Sequence, residues 1–337
     1  MTTKTAILGA GMFGTAIANI LADNGHIVRL WSRDEEQAEA IRTERENKRS
    51  LPGYPVHAAI EPTSDLAAAL DGVDVCFVSV PSRAFRDVVR LAAPHMPPSA
   101  VVVSTTKGIE MSSFKLMSEV LREELPQNPV GVLSGPNLAE EIVQRQITAT
   151  VIASEDPAVC QIVQDILKAS YFRVYSSADT YGVELAGALK NIYAIAAGFA
   201  AALGVGQNTQ GMLLTRSLAE MSRFAHSMGA KPITFLGLAG VGDLMVTCGS
   251  PLSRNYRLGH YVGEGLSVEE ATRKLGRLAE GINTVRTVKH KADEMGVYMP
   301  IVNGLYAILF EDKGVEQIIT ELMSAEQPSD VEFVAGD

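Results

Sequence analysis

The sequence predicts an α/β chain in which a mostly parallel, doubly wound sheet is followed by an all-α C-terminal domain. Three observations predict it. Short apolar strands alternate with helical segments through the first half. A glycine turn, Gly9-Ala10-Gly11-Met12-Phe13-Gly14, separates the first strand from the first helix. Strand signals stop after about Asp179, and apolar helical segments run on from there.

The strands are expected at 5–8, 26–31, 73–80, 100–104, 130–134, 148–153 and 172–175, with a helix over 12–23 and others between most strands. Their near-continuous apolar character suits parallel strands buried on both faces. Later helices are expected at 181–203, 212–228, 285–295 and 301–310. The domain boundary is placed between 179 and 180, giving units 1–179 and 180–337. The run from Arg42 to Arg49 carries charge of both signs and reads as a solvated helix face and loop. The stretch from Ser324 to Asp337 is polar and is expected to fray.

Bulk properties narrow the function classes. A chain of 337 residues is too long for one ordinary core. Hydrophobic residues make up 47% and charged residues 20%, the balance of a globular protein. The formal charge of -10, from 29 basic and 39 acidic residues, disfavours nucleic acid and anionic membranes as partners. Any phosphate ligand therefore needs local cations. Cys76, Cys160 and Cys248 lie far apart without a CxxC, which fits a reducing cytoplasm. The six histidines show no zinc-ligand spacing, so no metal is expected. Residues 6–22 are uncharged and imitate a signal peptide, but Gly9, Gly11 and Gly14 would break its helix. The uncharged run 191–215 is likewise broken by glycines and polar residues and reads as buried helix and turn, not as an integral membrane segment.

The glycine turn is a GxGxxG placed after a strand and opening a helix, the context that makes this motif informative. Gly9 would form the tight turn, Gly11 would admit a pyrophosphate to the backbone, and Gly14 would let the helix pack on the sheet. The ligand's charge would sit on free N–H groups at the helix N-terminus. The second strand ends in Trp31-Ser32-Arg33-Asp34. Ser32 and Arg33 suit a ribose 2′-phosphate. Asp34 suits the ribose hydroxyls of NAD, or a helix cap. NADP(H) is the favoured cofactor, with NAD(H) use left open. Phe13 and Ser82, the latter in Val78-Ser79-Val80-Pro81-Ser82, are further candidates to touch it.

In 185–215, Lys190 is the sole formal charge, within small and apolar residues. A buried ammonium is costly without a purpose. Apolar surroundings also disfavour an amine's charged form, as a general acid/base near neutral pH requires. The competing reading is a lysine that reaches solvent or pairs with Glu184. Lys107, in Ser104-Thr105-Thr106-Lys107-Gly108, follows a strand and so lies at the ligand-binding edge of the sheet. Ser134-Gly135-Pro136-Asn137 follows the next strand. Gly240-Val241-Gly242-Asp243 is a glycine turn ending in an acid, and Ser253-Arg254-Asn255 is a compact set of anion donors. Each also reads as ordinary loop or helix-start chemistry.

Gly9-x-Gly11-x-x-Gly14, Thr106-Lys107-Gly108, Ser134-Gly135-Pro136, Lys190-Asn191, Gly242-Asp243, Ser253-Arg254-Asn255 and Glu280-Gly281, in that order along nearly the whole chain, resemble the bacterial NAD(P)-dependent glycerol-3-phosphate dehydrogenases. The resemblance implies an oxidoreductase that interconverts sn-glycerol 3-phosphate and dihydroxyacetone phosphate, supplies phospholipid synthesis, and works as a cytoplasmic homodimer. It implies Lys190 as the general acid/base, with Lys107 sharing substrate and cofactor. Gly135, Asn137, Asp243, Ser253, Arg254 and Asn255 become substrate contacts. Met12, Phe13, Arg33, Ala139, Arg254, Leu278 and Glu280 become cofactor contacts. Glu280 also reads as an acid favoured at a helix start. The chain departs from the family pattern at Asn137, where Ser or Thr is common, at Gln210, where a basic residue is usual, and at Ser217, where Gly is common. The rival readings are a β-hydroxyacid or 6-phosphogluconate-type dehydrogenase and a non-catalytic NADP(H) sensor.

Overall fold

The computed structural model describes residues 2–276 and 279–324. The chain divides into two compact units, Met1–Glu184 and Leu185–Asp337.

The first unit is built on an eight-stranded sheet. Its strands are β1 (Lys4–Leu8), β2 (Ile27–Trp31), β5 (Ile60–Thr63), β6 (Val75–Val78), β7 (Val101–Ser104), β8 (Val130–Ser134), β9 (Thr148–Ala153) and β10 (Phe172–Ser177). A separate two-stranded ribbon pairs β3 (Glu46–Asn47) with β4 (Leu51–Pro55). The order across the sheet is β10-β9-β8-β7-β6-β1-β2-β5. Every pair is parallel except β8 with β9. The chain leaves β1 in one direction and returns to its other side with β6. The carboxyl ends of β1 and β6 thus flank the switch point where doubly wound sheets bind ligands.

Helices α1 (Met12–Asp23), α2 (Glu35–Glu44), α3 (Leu66–Leu70), α4 (Ser82–Ala92), α5 (Met117–Glu124), α6 (Ala139–Val143) and α7 (Pro157–Leu167) complete this unit. Ile7, Leu8, Phe77, Val78 and Val103 are fully buried, so helices cover both faces of the central strands. Burial of each such side chain contributes roughly 1.5–3 kcal/mol, which explains their continuous apolar sequence.

The second unit is helical among its described residues. It holds most of α8 (Thr180–Ala202), then α9 (Gln207–Ser227), α10 (Asp243–Gly249), α11 (Arg254–Gly263), α12 (Val268–Leu275), α13 (Glu280–Met295), α14 (Pro300–Phe310) and α15 (Val315–Ser324). Helix α8 is buried on nearly all sides and accordingly apolar apart from a few residues such as Glu184, Lys190 and Asn191. By length and composition it could cross a bilayer, but 78% of its apolar window is buried inside the protein.

Three expectations need correction. The run 42–49 is not simply a solvated face and loop: α2 ends at Glu44, Arg45 turns left-handed at φ 53, and Asn47 is buried in β3. Edge strand β5 and the ribbon were missed because Pro52, Pro55 and Pro62 weaken their strand signal, and edges and strand ends are where proline is tolerated. Helices α9 and α13 begin at Gln207 and Glu280, each five residues before its expected start, because polar residues and glycine dominate their opening turns. The expected fraying of 324–337 lies, beyond Ser324, outside the described residues.

Candidate functional site

The glycine turn sits at the carboxyl end of β1. Gly9 adopts φ +121, a region disfavoured for residues with a side chain, and a Cβ there would stand 2.6 Å from the Ser79 carbonyl oxygen. At Gly14 a Cβ would come within 2.1 Å of the Gly9 carbonyl oxygen, so this glycine is what lets α1 lie against the turn. Gly11 differs: a Cβ would meet nothing within 4 Å. Among the described residues that point is open, and no side chain caps α1. The first turn of α1 also holds no acidic residue. Its leading N–H groups, which have no intrahelical acceptor, therefore face an open cradle suited to an anion. A dinucleotide pyrophosphate fits this donor set.

A buried amide network supports the turn from below. Asn47 Nδ2 donates to the Ala10 carbonyl at 3.0 Å and to Thr15 Oγ1 at 2.8 Å. Gln37 Nε2 donates to the same carbonyl at 3.0 Å and to Asn47 Oδ1 at 3.1 Å. Sequence reasoning missed both residues. The available signal was a lone Asn flanked by charged residues, which periodicity cannot separate from surface.

After β2, Ser32 is 5% exposed and its hydroxyl donates to Gln37 Oε1 at 2.9 Å, tying it to this network. Asp34 caps α2 by accepting from the Glu36 and Gln37 amides at 3.1 and 3.4 Å, and it also pairs with Arg49. The Gln37 amide first, then Arg49, holds the Asp34 carboxyl below its usual range. Arg33 is exposed and makes no hydrogen bond or ion pair with the described residues. The acid at this strand end is thus engaged, and the guanidinium is available.

Along the same edge, Thr106 Oγ1 donates to the Val80 carbonyl at 2.6 Å and Lys107 Nζ to the Gly135 carbonyl at 2.8 Å. The Asn137 amide spans the Ala149 carbonyl (3.4 Å) and Thr150 Oγ1 (2.9 Å). Ser134 Oγ is buried without a hydrogen-bond partner among the described residues. Ala139 opens α6 and is buried, while Met12 and Phe13 pack partly against the core beneath α1. Ser82 is the first residue of α4.

In the second unit the candidate residues gather around Lys190. Both readings made from sequence for a structural lysine fail: the residue is 6% exposed, and Glu184 has other partners. The Glu184 carboxylate accepts from the Ser118 amide at 3.0 Å and the Ser118 hydroxyl at 2.5 Å, capping α5. Lys190 instead forms an ion pair with Asp243, which is 1% exposed. Its Nζ also donates to Thr247 Oγ1 at 2.6 Å, and Thr247 in turn donates to Asp243 at 3.3 Å. A π-helical turn, Leu238–Gly242, leads into α10 and aims both Asp243 and Thr247, four residues apart, at the lysine. An ammonium has three donors. Two are spent here, and the third meets no acceptor among the described residues. Thr247 was not anticipated, although its position one helical turn after Asp243 was the available signal.

Asn191, the next residue, accepts from Asn255 Nδ2 at 2.9 Å, and Asn255 Oδ1 accepts from the Gly281 amide at 3.0 Å. The Asn255 side chain therefore joins α8, α11 and α13. Ser253 caps α11, accepting from the Tyr256 amide at 3.3 Å. Arg254, at the first position of α11, is exposed and has no partner among the described residues. A cation there opposes the helix dipole, so an anion between the two would satisfy both. Glu280 is the first residue of α13. Leu278 lies outside the described residues. Gln210 is exposed on α9, whereas the Ser217 hydroxyl is buried against the Leu213 carbonyl at 2.6 Å.

Comparison with known proteins finds matches to both halves of the chain. Residues 4–160 match the family model for the NAD-dependent glycerol-3-phosphate dehydrogenase N-terminus, and residues 179–320 match the model for its C-terminus. The chain belongs to the NAD-dependent glycerol-3-phosphate dehydrogenase family. The family member of Azotobacter vinelandii, named glycerol-3-phosphate dehydrogenase [NAD(P)+], is 58% identical over 98% of this chain and 97% of its own. The protein of the same name from Teredinibacter turnerae is 56% identical over 99% of this chain and 98% of its own. The crystal structure of glycerol-3-phosphate dehydrogenase from Coxiella burnetii superposes with a TM-score of 0.92 at 38% identity, over 96% of this chain and 99% of that one. A ketopantoate reductase from Ralstonia eutropha shares the fold alone, with a TM-score of 0.59 at 18% identity over 95% and 99% of the two chains.

Proposed function

We infer that this family member is an NAD(P)-dependent oxidoreductase interconverting sn-glycerol 3-phosphate and dihydroxyacetone phosphate, and so feeding phospholipid synthesis. One observation carries the chemical part of the reading: a buried ammonium whose protein partners account for two of its three donors. Such a group can hold the C2 oxygen of a substrate with its third N–H. When bound, the nicotinamide supplies the hydride in reduction and accepts it in oxidation. Lys190 gives a proton to the oxygen as C2 is reduced, and takes it back in the reverse direction. Asp243 orients the lysine and balances its charge, while Thr247 fixes the remaining rotation of the amine.

Other residues bind and orient. The open backbone at Gly9, Gly11 and Gly14, with Met12 and Phe13, would hold the pyrophosphate half of the cofactor. Arg33 would take a ribose 2′-phosphate, because Asp34 is spent as a helix cap. That favours NADP(H) over NAD(H), with Ser32 contributing from beneath by steadying Gln37. Ala139, Arg254 and Glu280 are proposed to complete the cofactor contacts. Arg254, with Ser253 and Asn255 beside it, anchors the substrate phosphate, and that remote binding orients C2. Lys107, Gly135 and Asn137 are assigned to the substrate, and the charge of Lys107 would steady negative charge developing on its oxygen. We further infer a cytoplasmic homodimer. The three cysteines, all buried and unbridged, are consistent with a reducing compartment.

The test is a steady-state assay of dihydroxyacetone phosphate reduction with NADPH and with NADH, run beside 3-hydroxyacids and 6-phosphogluconate as oxidisable alternatives. Efficient turnover of dihydroxyacetone phosphate supports the reading. Preference for a 3-hydroxyacid, or cofactor binding without turnover, overturns it.

A further inference from the structure

We propose that Arg86 and Glu110 form a positioning clamp that holds the segment presenting Lys107. This rests on the role given to Lys107 above and adds the device that keeps it in place. The segment 105–116 joins β7 to α5 and has no helix or strand of its own. Its entrance is pinned to the sheet. The Thr105 amide donates to the Val78 carbonyl at 3.0 Å and Thr106 Oγ1 to the Val80 carbonyl at 2.6 Å. Lys107 and Gly108 follow, and a glycine there leaves the backbone soft unless something fixes the far side. Glu110 is that second pin. Its two carboxylate oxygens accept from Arg86 Nε at 2.7 Å and Nη2 at 2.8 Å, a bidentate fork on α4. The turn beyond is closed by the Glu110 amide on the Lys115 carbonyl at 2.8 Å and the Phe114 amide on the Glu110 carbonyl at 2.9 Å.

This is more than a surface ion pair. The Arg86 and Glu110 side chains are only 19% and 17% exposed. Arg86 Nη1 also reaches Glu123 at 2.8 Å and Glu124 at 2.5 Å on α5, so one guanidinium serves three carboxylates. Arg86 holds the Glu110 carboxyl down at about 2, so the clamp stays charged throughout the neutral range. A purely structural role would make the α5 branch of the network as important as the loop branch. The clamp role makes Glu110 special, since it alone of the three carboxylates belongs to the Lys107 segment.

The experiment compares Glu110→Ala, Glu124→Gln and Lys107→Ala, singly and as Glu110→Ala/Lys107→Ala, in the full chain. Glu110→Ala should lower kcat/KM for dihydroxyacetone phosphate by about ten-fold or more, as misplacement of an orienting group does. Amide exchange across 107–113 should accelerate in the same variant without added ligands. Glu110→Gln, which keeps an acceptor for Arg86, should fall between. Glu124→Gln should move thermal stability but neither kcat/KM nor exchange in this segment. In the Lys107→Ala background, Glu110→Ala should add less than about two-fold, because both changes act through one group. An unchanged kcat/KM in Glu110→Ala, or full additivity with Lys107→Ala, overturns the clamp. A Lys107→Ala enzyme with normal kinetics overturns the role of Lys107 and the clamp with it.

Discussion

Raising the pH from 5 to 8 should destabilise this protein through two identifiable carboxyls, Glu184 and Glu220. Both are fully buried, and burial, as the largest cause, pushes each from 4.5 up to about 7. Glu184 caps α5 through Ser118. Glu220 caps α14, accepting from the Ile301 amide at 2.6 Å and the Val302 amide at 3.4 Å, with Tyr193 Oη at 3.3 Å. A raised folded-state pKa means that the native protein holds its proton more tightly than the unfolded chain. The stability it contributes is complete below about 4.5 and is lost as the pH rises through about 7. At about 1.4 kcal/mol per pKa unit, each site costs roughly 2–3 kcal/mol between about pH 5 and pH 8. The assay is urea unfolding of the parent, Glu184→Gln and Glu184→Gln/Glu220→Gln at several pH values. The glutamine keeps a carbonyl acceptor for the Ser118 amide but cannot ionise. Glu184→Gln should therefore lose about half of the parent's decline and exceed its stability at the alkaline end, and the double variant should be nearly flat. If Glu184→Gln retains the parent's full pH slope and is weaker by the same amount throughout, burial is not what governs these carboxyls.

The glycine turn separates folding from ligand binding. Gly11→Ala, with open space around the new methyl, should leave the thermal midpoint within about 1 °C while weakening NADPH binding at least about ten-fold by fluorescence titration. Gly14→Ala puts a Cβ 2.1 Å from the Gly9 carbonyl oxygen and should lower the midpoint by several degrees in addition. Equal effects of the two variants on stability would contradict the reading of the turn. Arg33→Gln should raise KM for NADPH by about ten-fold while changing KM for NADH by less than about two-fold, since one charge-assisted phosphate contact is removed. A matched change for both nucleotides would place the 2′-phosphate elsewhere.

Much of the fold was legible because the relevant periodicities are strong. Helix α1 and strands β8 and β9 fall at the residues their sequence indicates, as α1 is bounded by the glycine turn and the strands are rich in apolar and β-branched residues. The ribbon and β5 were illegible because prolines mask short edge strands. Helices α10 to α12 are short, which hid them from a reading by long apolar periodicity, although the capping box Ser267-x-x-Glu270 and Gly276 mark both ends of α12. The candidate site divides in the same way. Lys190 stood out as one charge in an apolar helix, and Asp243 as the end of a glycine turn. Their pairing did not, because 53 residues separate them and spacing carries no information over that distance. Asn47 and Glu110 look like surface residues in sequence. Only the path of the chain shows that the first holds the Ala10 carbonyl and the second meets Arg86.

The central claim is that Lys190 moves the proton at C2. The most direct test is Lys190→Ala, titrated with NADPH and assayed for dihydroxyacetone phosphate reduction with and without added methylamine. Turnover should fall by at least about 10²-fold, NADPH affinity should stay within about two-fold, and the amine should restore part of the lost rate. Near-normal turnover without the amine would contradict the account.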